Sequence, residues 1–223
     1  MRSAIAQRIP IPQVITPKPA RRPASASLSS QAFLRRGGRL VRIDKPDSAN
    51  AAVHRDLVLL ELREDWTTGG RTYPAGALLA ADFEGFLRGE RRFDVLFEPT
   101  ETKSLAGFSP TLDHVLVNEL ENVHNKIYVL TRKNGAWSRA PLPGMPALGT
   151  VSAEAIDDQE SDDYFMTVTD YVTPTSLAIG TAGSGAPPAK LKQLPAFFDA
   201  SGLEVSQHET RSADGTRIPY FQV

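Results

Sequence analysis

Short runs of apolar or alternating residues, each closed by Gly, Pro, Asn or Asp, follow one another along most of this 223-residue chain. Runs of that length form strands, because strand side chains alternate between sheet faces and turn residues end each run. From about Phe33 the series includes Arg39-Leu-Val-Arg-Ile43, ended by Pro46, and Leu57-Val-Leu-Leu-Glu-Leu62. Trp66-Thr-Thr-Gly-Gly70 is expected to be a turn and Thr72-Tyr-Pro-Ala-Gly-Ala-Leu-Leu-Ala80 the returning strand. Residues 93–97, 114–120, 126–131, 164–169 and 176–179 continue the pattern, and Asn134-Gly135 is a strong hairpin signal. Only residues 82–89 predict a short helical turn. No long segment carries a 3.6-residue stripe, so the fold class is all-β.

Strands at this spacing suit a sandwich or a propeller. Two segments favour the propeller, residues 54–73 and 114–137, each a strand, a gap, a second strand, a Gly turn and an aromatic residue. The expectation is a partial β-propeller of about two to three blades over residues 31–180, too few to close a ring. Residues 1–30 are expected to be a disordered extension, since Pro10, Pro12, Pro17, Pro19 and Pro23 interrupt any helix and Ser25 to Ser30 is a small polar tract. Residues 181–189, with two glycines and two prolines, predict a flexible linker. Residues 190–223 begin a further module: an amphipathic stretch over 191–199, a strand over 203–211, the turn Ala213-Asp-Gly-Thr216 and a strand over 217–223. A sheet edge left open there needs partners for its N–H and C=O groups, which points to a piece of a larger protein.

Charge is divided unevenly. Nine Arg and Lys and no acidic residue precede Asp44, so the remainder carries 26 acidic against 25 − 9 = 16 basic residues. An acidic body argues against nucleic acid as a partner. With no cysteine, disulfides, thiolate catalysis and cysteine-held metals are excluded. No apolar run approaches a membrane span, and the leader lacks the apolar core of a secretory signal, so a cytoplasmic protein with no membrane partner is expected.

Few residues offer themselves for chemistry. There is no Gly-x-Ser-x-Gly, and Gly183-Ser184-Gly185 sits beside prolines without the strand and helix that an exposed nucleophile requires. His54 and His114 are expected to open strands, His124 to lie in a turn and His208 to sit mid-strand beside Glu209. None shows the paired spacing of metal ligands. The acidic run Glu154, Asp157, Asp158, Glu160, Asp162 and Asp163 lacks the EF-hand order and reads as a solvated loop between blades. Trp66, Tyr73, Trp137 and Phe165 are strand aromatics expected to fill gaps between blades rather than line a groove. Catalytic, cofactor-binding and metal-binding residues are therefore each expected to be none.

The carboxyl-terminal third resembles the prolyl oligopeptidase family of serine peptidases. Ser212-Ala-Asp-Gly-Thr-Arg-Ile-Pro219 is similar to the hairpin that opens that family's catalytic domain. Leu191-Lys-Gln-Leu-Pro-Ala-Phe-Phe-Asp-Ala200 resembles the segment joining propeller to hydrolase, and residues 163–176 resemble the final propeller strand. Upstream, residues 55–66 and Tyr73-Pro-Ala-Gly-Ala-Leu-Leu79 look like a bacterial branch, so the resemblance covers about 33–223. It implies later propeller blades followed by the first hairpin of an α/β-hydrolase domain. It also implies cleavage of short proline-containing peptides by a Ser-His-Asp triad lying downstream of that hairpin. This chain, lacking the triad, is expected to be inert alone and to associate with a hydrolase half. The alternative from another class is a stand-alone all-β interaction module.

Overall fold

The structure, a computed structural model, describes residues 14–15 and 30–223; of residues 1–30, all expected to be a disordered extension, Val14–Ile15 instead pair as a strand and the others up to residue 29 lie outside the described residues. The chain divides into two compact units, Met1–Val95 and Leu96–Val223.

The first unit opens with a three-stranded antiparallel sheet of β1 (Val14–Ile15), β2 (Ala32–Arg36) and β3 (Arg39–Ile43), in that order. Gly37 and Gly38, both at positive φ, make the tight β2–β3 turn at no steric cost. A second antiparallel sheet begins with β4 (Asn50–His54) and β5 (Leu57–Glu61). A small side hairpin follows, β6 (Trp66–Thr68) and β7 (Arg71–Tyr73), turned at Gly69-Gly70. Next come β8 (Leu78–Asp82), the one-turn helix α1 (Phe83–Leu87) and β9 (Asp94–Phe97). The sheet order is β4-β5-β8-β9. The Asp82 side chain caps α1 by accepting from the Gly85 N–H at 2.6 Å.

Two expectations are corrected in this unit. Residues 66–70 are not only a turn, since Trp66–Thr68 pair as a strand. Residues 72–80 are two strands, not one. The chain breaks at residues 74–76, where Gly76 has φ +85° and donates to the Leu62 carbonyl at 2.8 Å, while Asp65 accepts from the Ala75 N–H at 2.8 Å. Pro74 supplies no donor for a continuous ladder. The core holds Leu34, Ile43, Val58, Leu60, Leu79 and Phe86. β5 and β8 lie buried on both faces, which is why their sequences are apolar runs without alternation.

The second unit contains two four-stranded antiparallel sheets. The first is β10 (Lys103–Pro110), β11 (His114–Glu121), β12 (His124–Lys133) and β13 (Ala136–Pro141), paired in sequence order. The next is β14 (Thr150–Ala155), β15 (Asp163–Thr169), β16 (Ser176–Thr181) and β17 (Ala189–Gln193), again in order. A separate hairpin, β18 (Ser206–Arg211) and β19 (Arg217–Gln222), ends the unit. Up-and-down four-stranded sheets in succession are the blades of a propeller. With the sheet of β4, β5, β8 and β9 they make three such sheets, so the chain is an all-β, partial β-propeller.

The linker expected over 181–189 is instead the β16–β17 connection within one sheet. Its local bonds explain why Gly and Pro there do not mean slack. The Ala182 N–H donates to the Asp162 carbonyl at 2.8 Å, the Ser184 hydroxyl donates to the Thr181 carbonyl at 2.8 Å, and Gly183 and Gly185 take positive φ. Residues 191–193, expected in an amphipathic stretch, accordingly belong to the edge strand β17.

Candidate functional site

The second unit's two blades meet through an apolar layer in which Leu116, Ile127, Val129 and Leu142 face Val151, Tyr164 and Met166. β14 is the edge strand of its sheet, so backbone groups of Val151 and Ala155 that point away from β15 need other partners. The neighbouring blade supplies them. Asn118 Nδ2 donates to the Val151 carbonyl at 2.8 Å, the Val151 N–H donates to Asn125 Oδ1 at 3.1 Å, and Asn125 Nδ2 donates to Asn118 Oδ1 at 2.9 Å. The Ala155 N–H donates to Ser109 Oγ at 2.9 Å. Two asparagines thus act as a false fifth strand.

On the other face of the β11–β13 sheet, Glu119 is 2% exposed and accepts from Arg139 Nη2 at 2.5 Å. The Arg139 guanidinium also lies 3.6 Å from the centre of the Tyr128 ring. A buried carboxylate is tolerable because that cation, itself flat against an aromatic face, is held on it. Tyr164 is fully buried opposite Gly180, and its hydroxyl has no hydrogen-bond partner among the described residues. Burial pushes the Tyr164 phenol upward from its ordinary pKa, because the phenolate would lose its hydration.

The sequence-predicted residues do not converge. His54 closes β4 rather than opening a strand, and is buried. His114 does open β11, with Nδ1 at 2.8 Å from Thr131 Oγ1, whereas His124 is the first residue of β12 rather than part of a turn. These two stand at opposite ends of the same strand pair, so their ten-residue spacing makes no site. His208 lies 2.9 Å from Ser206 Oγ on exposed β18 and stacks on Tyr220. The Ser184 hydroxyl is engaged within its turn.

In the acidic run, Asp162 Oδ1 accepts from Thr111 Oγ1 at 2.7 Å and the Asp113 N–H at 2.8 Å. Asp157 accepts from the Gln159 and Glu160 N–H groups, and Asp163 accepts from Thr181. These carboxylates pin loops. Among the described residues no group of three or more His, Asp or Glu is arranged to hold a metal ion. Trp66, Tyr73 and Phe86 pack edge-on around Phe93 at 5.3–6.0 Å, filling the first unit's core. Trp137 is half-buried on β13, and Phe165 is exposed on β15.

What sequence reasoning missed is where the terminal hairpin rests. Gln207 Nε2 donates to the Asn122 carbonyl at 3.1 Å, and its Oε1 is bonded to His124 Nε2. The Phe221 ring stands edge-on to His124 at 6.0 Å and against Tyr171 at 5.3 Å. Asn122 and Val123, both at positive φ, form the β11–β12 turn that offers this carbonyl. The remaining geometry of the hairpin is local: Asp214 accepts from Ser212 Oγ and from the Thr216 N–H at 3.0 Å, which pulls its carboxyl down to about 2.

No sequence-family model matches the chain. It is 34% identical over 165 residues to the uncharacterized peptidase y4nA of Sinorhizobium fredii, covering 73% of this chain and 22% of that protein. It is 25% identical over 190 residues to the uncharacterized peptidase RP174 of Rickettsia prowazekii, covering 83% and 26%. Among solved structures it is similar to a post-proline cleaving enzyme from Rickettsia typhi, with TM-score 0.73 and 22% identity over 87% of this chain and 29% of that one. It is also similar to oligopeptidase B from Leishmania major, with TM-score 0.63 and 15% identity over 86% and 28%. The chain therefore spans about a quarter of the length of the peptidases it matches. Its three blade-like sheets lie within the part that is similar to these proteins. Its fold is that of the matched part of these prolyl oligopeptidase-type structures.

Proposed function

We propose that this chain is the later-blade portion of a prolyl oligopeptidase-like serine peptidase that hydrolyses short proline-containing peptides in the cytoplasm. The observation that carries the reading is the 34% identity to a peptidase across 73% of the chain. In this reading β18 and β19 are the first hairpin of the α/β-hydrolase domain, and the Ser-His-Asp triad belongs to the rest of the enzyme. The chain itself contributes no nucleophile, base or oxyanion donor, and alone it is inert.

Surface chemistry supports association with a hydrolase half. Leu191, Leu194, Phe197, Phe198, Ile218 and Tyr220 are 44–81% exposed along β17, the segment after it and the hairpin. Large apolar side chains left exposed along this stretch of chain suit cover by a further module. No helix of the described residues is long and apolar enough to cross a membrane.

The test is retrieval from native extract with an antibody against this chain, followed by labelling with a serine-directed fluorophosphonate. The reading expects the label on the serine of a Gly-x-Ser-x-Gly peptide, whether in the same polypeptide or a bound one. Retrieval of unlabelled material that contains no such peptide contradicts it.

A further inference from the structure

The chain has no cysteine and three methionines, Met1, Met145 and Met166, so its oxidisable sulfur is all thioether. Met1 lies outside the described residues. Met166, on β15, is 4% exposed inside the apolar layer between the second unit's two blades. Met145 differs. It packs against the same layer but is only partly buried, on the connection over residues 142–149 that carries the chain from β13 to β14.

That connection is a strap across the blade–blade layer. It starts where the Leu142 N–H donates to the Ile127 carbonyl at 2.8 Å, with Leu142 itself 3% exposed. It then passes so close to the β16–β17 connection that a Cβ on Gly144 would lie 2.8 Å from Pro188 Cδ. At its end, a Cβ on Gly149 would lie 2.7 Å from the Thr169 carbonyl oxygen. Between these points residues 143–148 lie outside every strand, and Pro143 and Pro146 have no N–H to donate. Side-chain packing therefore holds the middle of the strap, and Met145 supplies it.

We propose that Met145 is a redox-modifiable plug: a peroxide converts it to the sulfoxide, and the strap then lifts from the blade–blade layer. In that step the peroxide O–O bond breaks, one oxygen bonds to Met145 Sδ and the other leaves as water. Sulfur is oxidised and the peroxide is reduced. The product is polar where an apolar thioether had packed. Its oxygen needs a hydrogen-bond donor, and the aliphatic side chains of Leu116, Ile127, Val129 and Val151 offer none, so hydration of the sulfoxide and lifting of Met145 go together. The effect falls on β14, which follows the strap and whose Val151 and Ala155 N–H groups are held by Asn125 and Ser109 of the preceding blade. Met166 carries the same chemistry behind the layer, so burial sets the order of reaction.

Brief treatment of the full chain with hydrogen peroxide tests the plug, with peptide mass spectrometry locating the added oxygen and amide exchange reading the strands. Met145 is expected to react at least about tenfold faster than Met166. In chain oxidised at Met145 alone, exchange of the Val151 and Ala155 N–H groups should rise about tenfold while the β11–β12 ladder keeps its rates, and methionine sulfoxide reductases should restore the starting values. Met145→Leu keeps the apolar bulk without the sulfur and should hold β14 exchange constant under the same treatment. Equal oxidation of Met145 and Met166 overturns the plug. So does unchanged β14 exchange in the singly oxidised chain, or a peroxide response that Met145→Leu retains. None of these readings depends on peptidase activity, so failure here is separable from failure of the functional reading.

Discussion

Gly180 faces the ring of Tyr164 across β15 and β16, and a Cβ at that position would lie 2.5 Å from the phenol oxygen. The aromatic side chain occupies the space that the glycine leaves, a cross-strand pairing in which small and large are matched. Gly180→Val should therefore destabilise the second unit by about 1–3 kcal/mol through overpacking, read from the urea midpoint. A midpoint shift near zero would mean that Tyr164 moves freely. Asp214 offers a residue-scale prediction of opposite kind, in solvent. Its folded carboxyl value of about 2 lies below the ordinary 3.8, so its bonds to Ser212 and Thr216 favour the folded hairpin above the ordinary value. That contribution is lost as pH falls through about 2. Ser212→Ala should move the Asp214 carboxyl back toward 3.8, observable by NMR titration of its side-chain carbon. An unchanged titration would show that the Thr216 N–H alone sustains the shift.

Elements of this fold differ in how plainly the chain announces them. Residues 57–62 and 114–120 are legible as strands because both faces of β5, and much of β11, are buried, and buried strands must be apolar. β10, β14 and β17 are not, for reasons visible in their residues. β10 carries Gly107 at an irregularity in its register, β14 buries only Val151 and Ala153, and β17 is exposed throughout and held by β16 alone. The Asn118–Asn125 clip is equally hidden, since two polar residues beside a turn carry no periodic signal until β14 lies next to them. Asn125→Ala should leave the N–H of buried Val151 without its acceptor, costing about 1–3 kcal/mol while leaving the β15–β16 ladder intact. Thermal unfolding of the variant measures the loss. Amide exchange localised to β14 would identify its origin, and exchange raised evenly along all strands would argue against an edge-sealing role.

At the scale of the whole molecule, the described residues form three blade-like four-stranded sheets, a three-stranded sheet and two hairpins. The hairpin turn is legible in residues 212–219 from the order of residues alone, because turn chemistry such as Asp214-Gly215 answers directly to backbone geometry, with Gly215 at φ +86°. Where the modules divide is less legible. Gly and Pro at residues 181–189 read as slack, whereas the fold spends them on a tight connection inside a sheet. The proposed function places the nucleophile, base and oxyanion donors of acyl transfer in the remainder of a larger peptidase. Hydrolysis of a Gly-Pro-chromophore substrate by the purified chain tests this most directly. The expected result is no release of chromophore above the buffer rate, with or without fluorophosphonate; turnover that fluorophosphonate abolishes would contradict it.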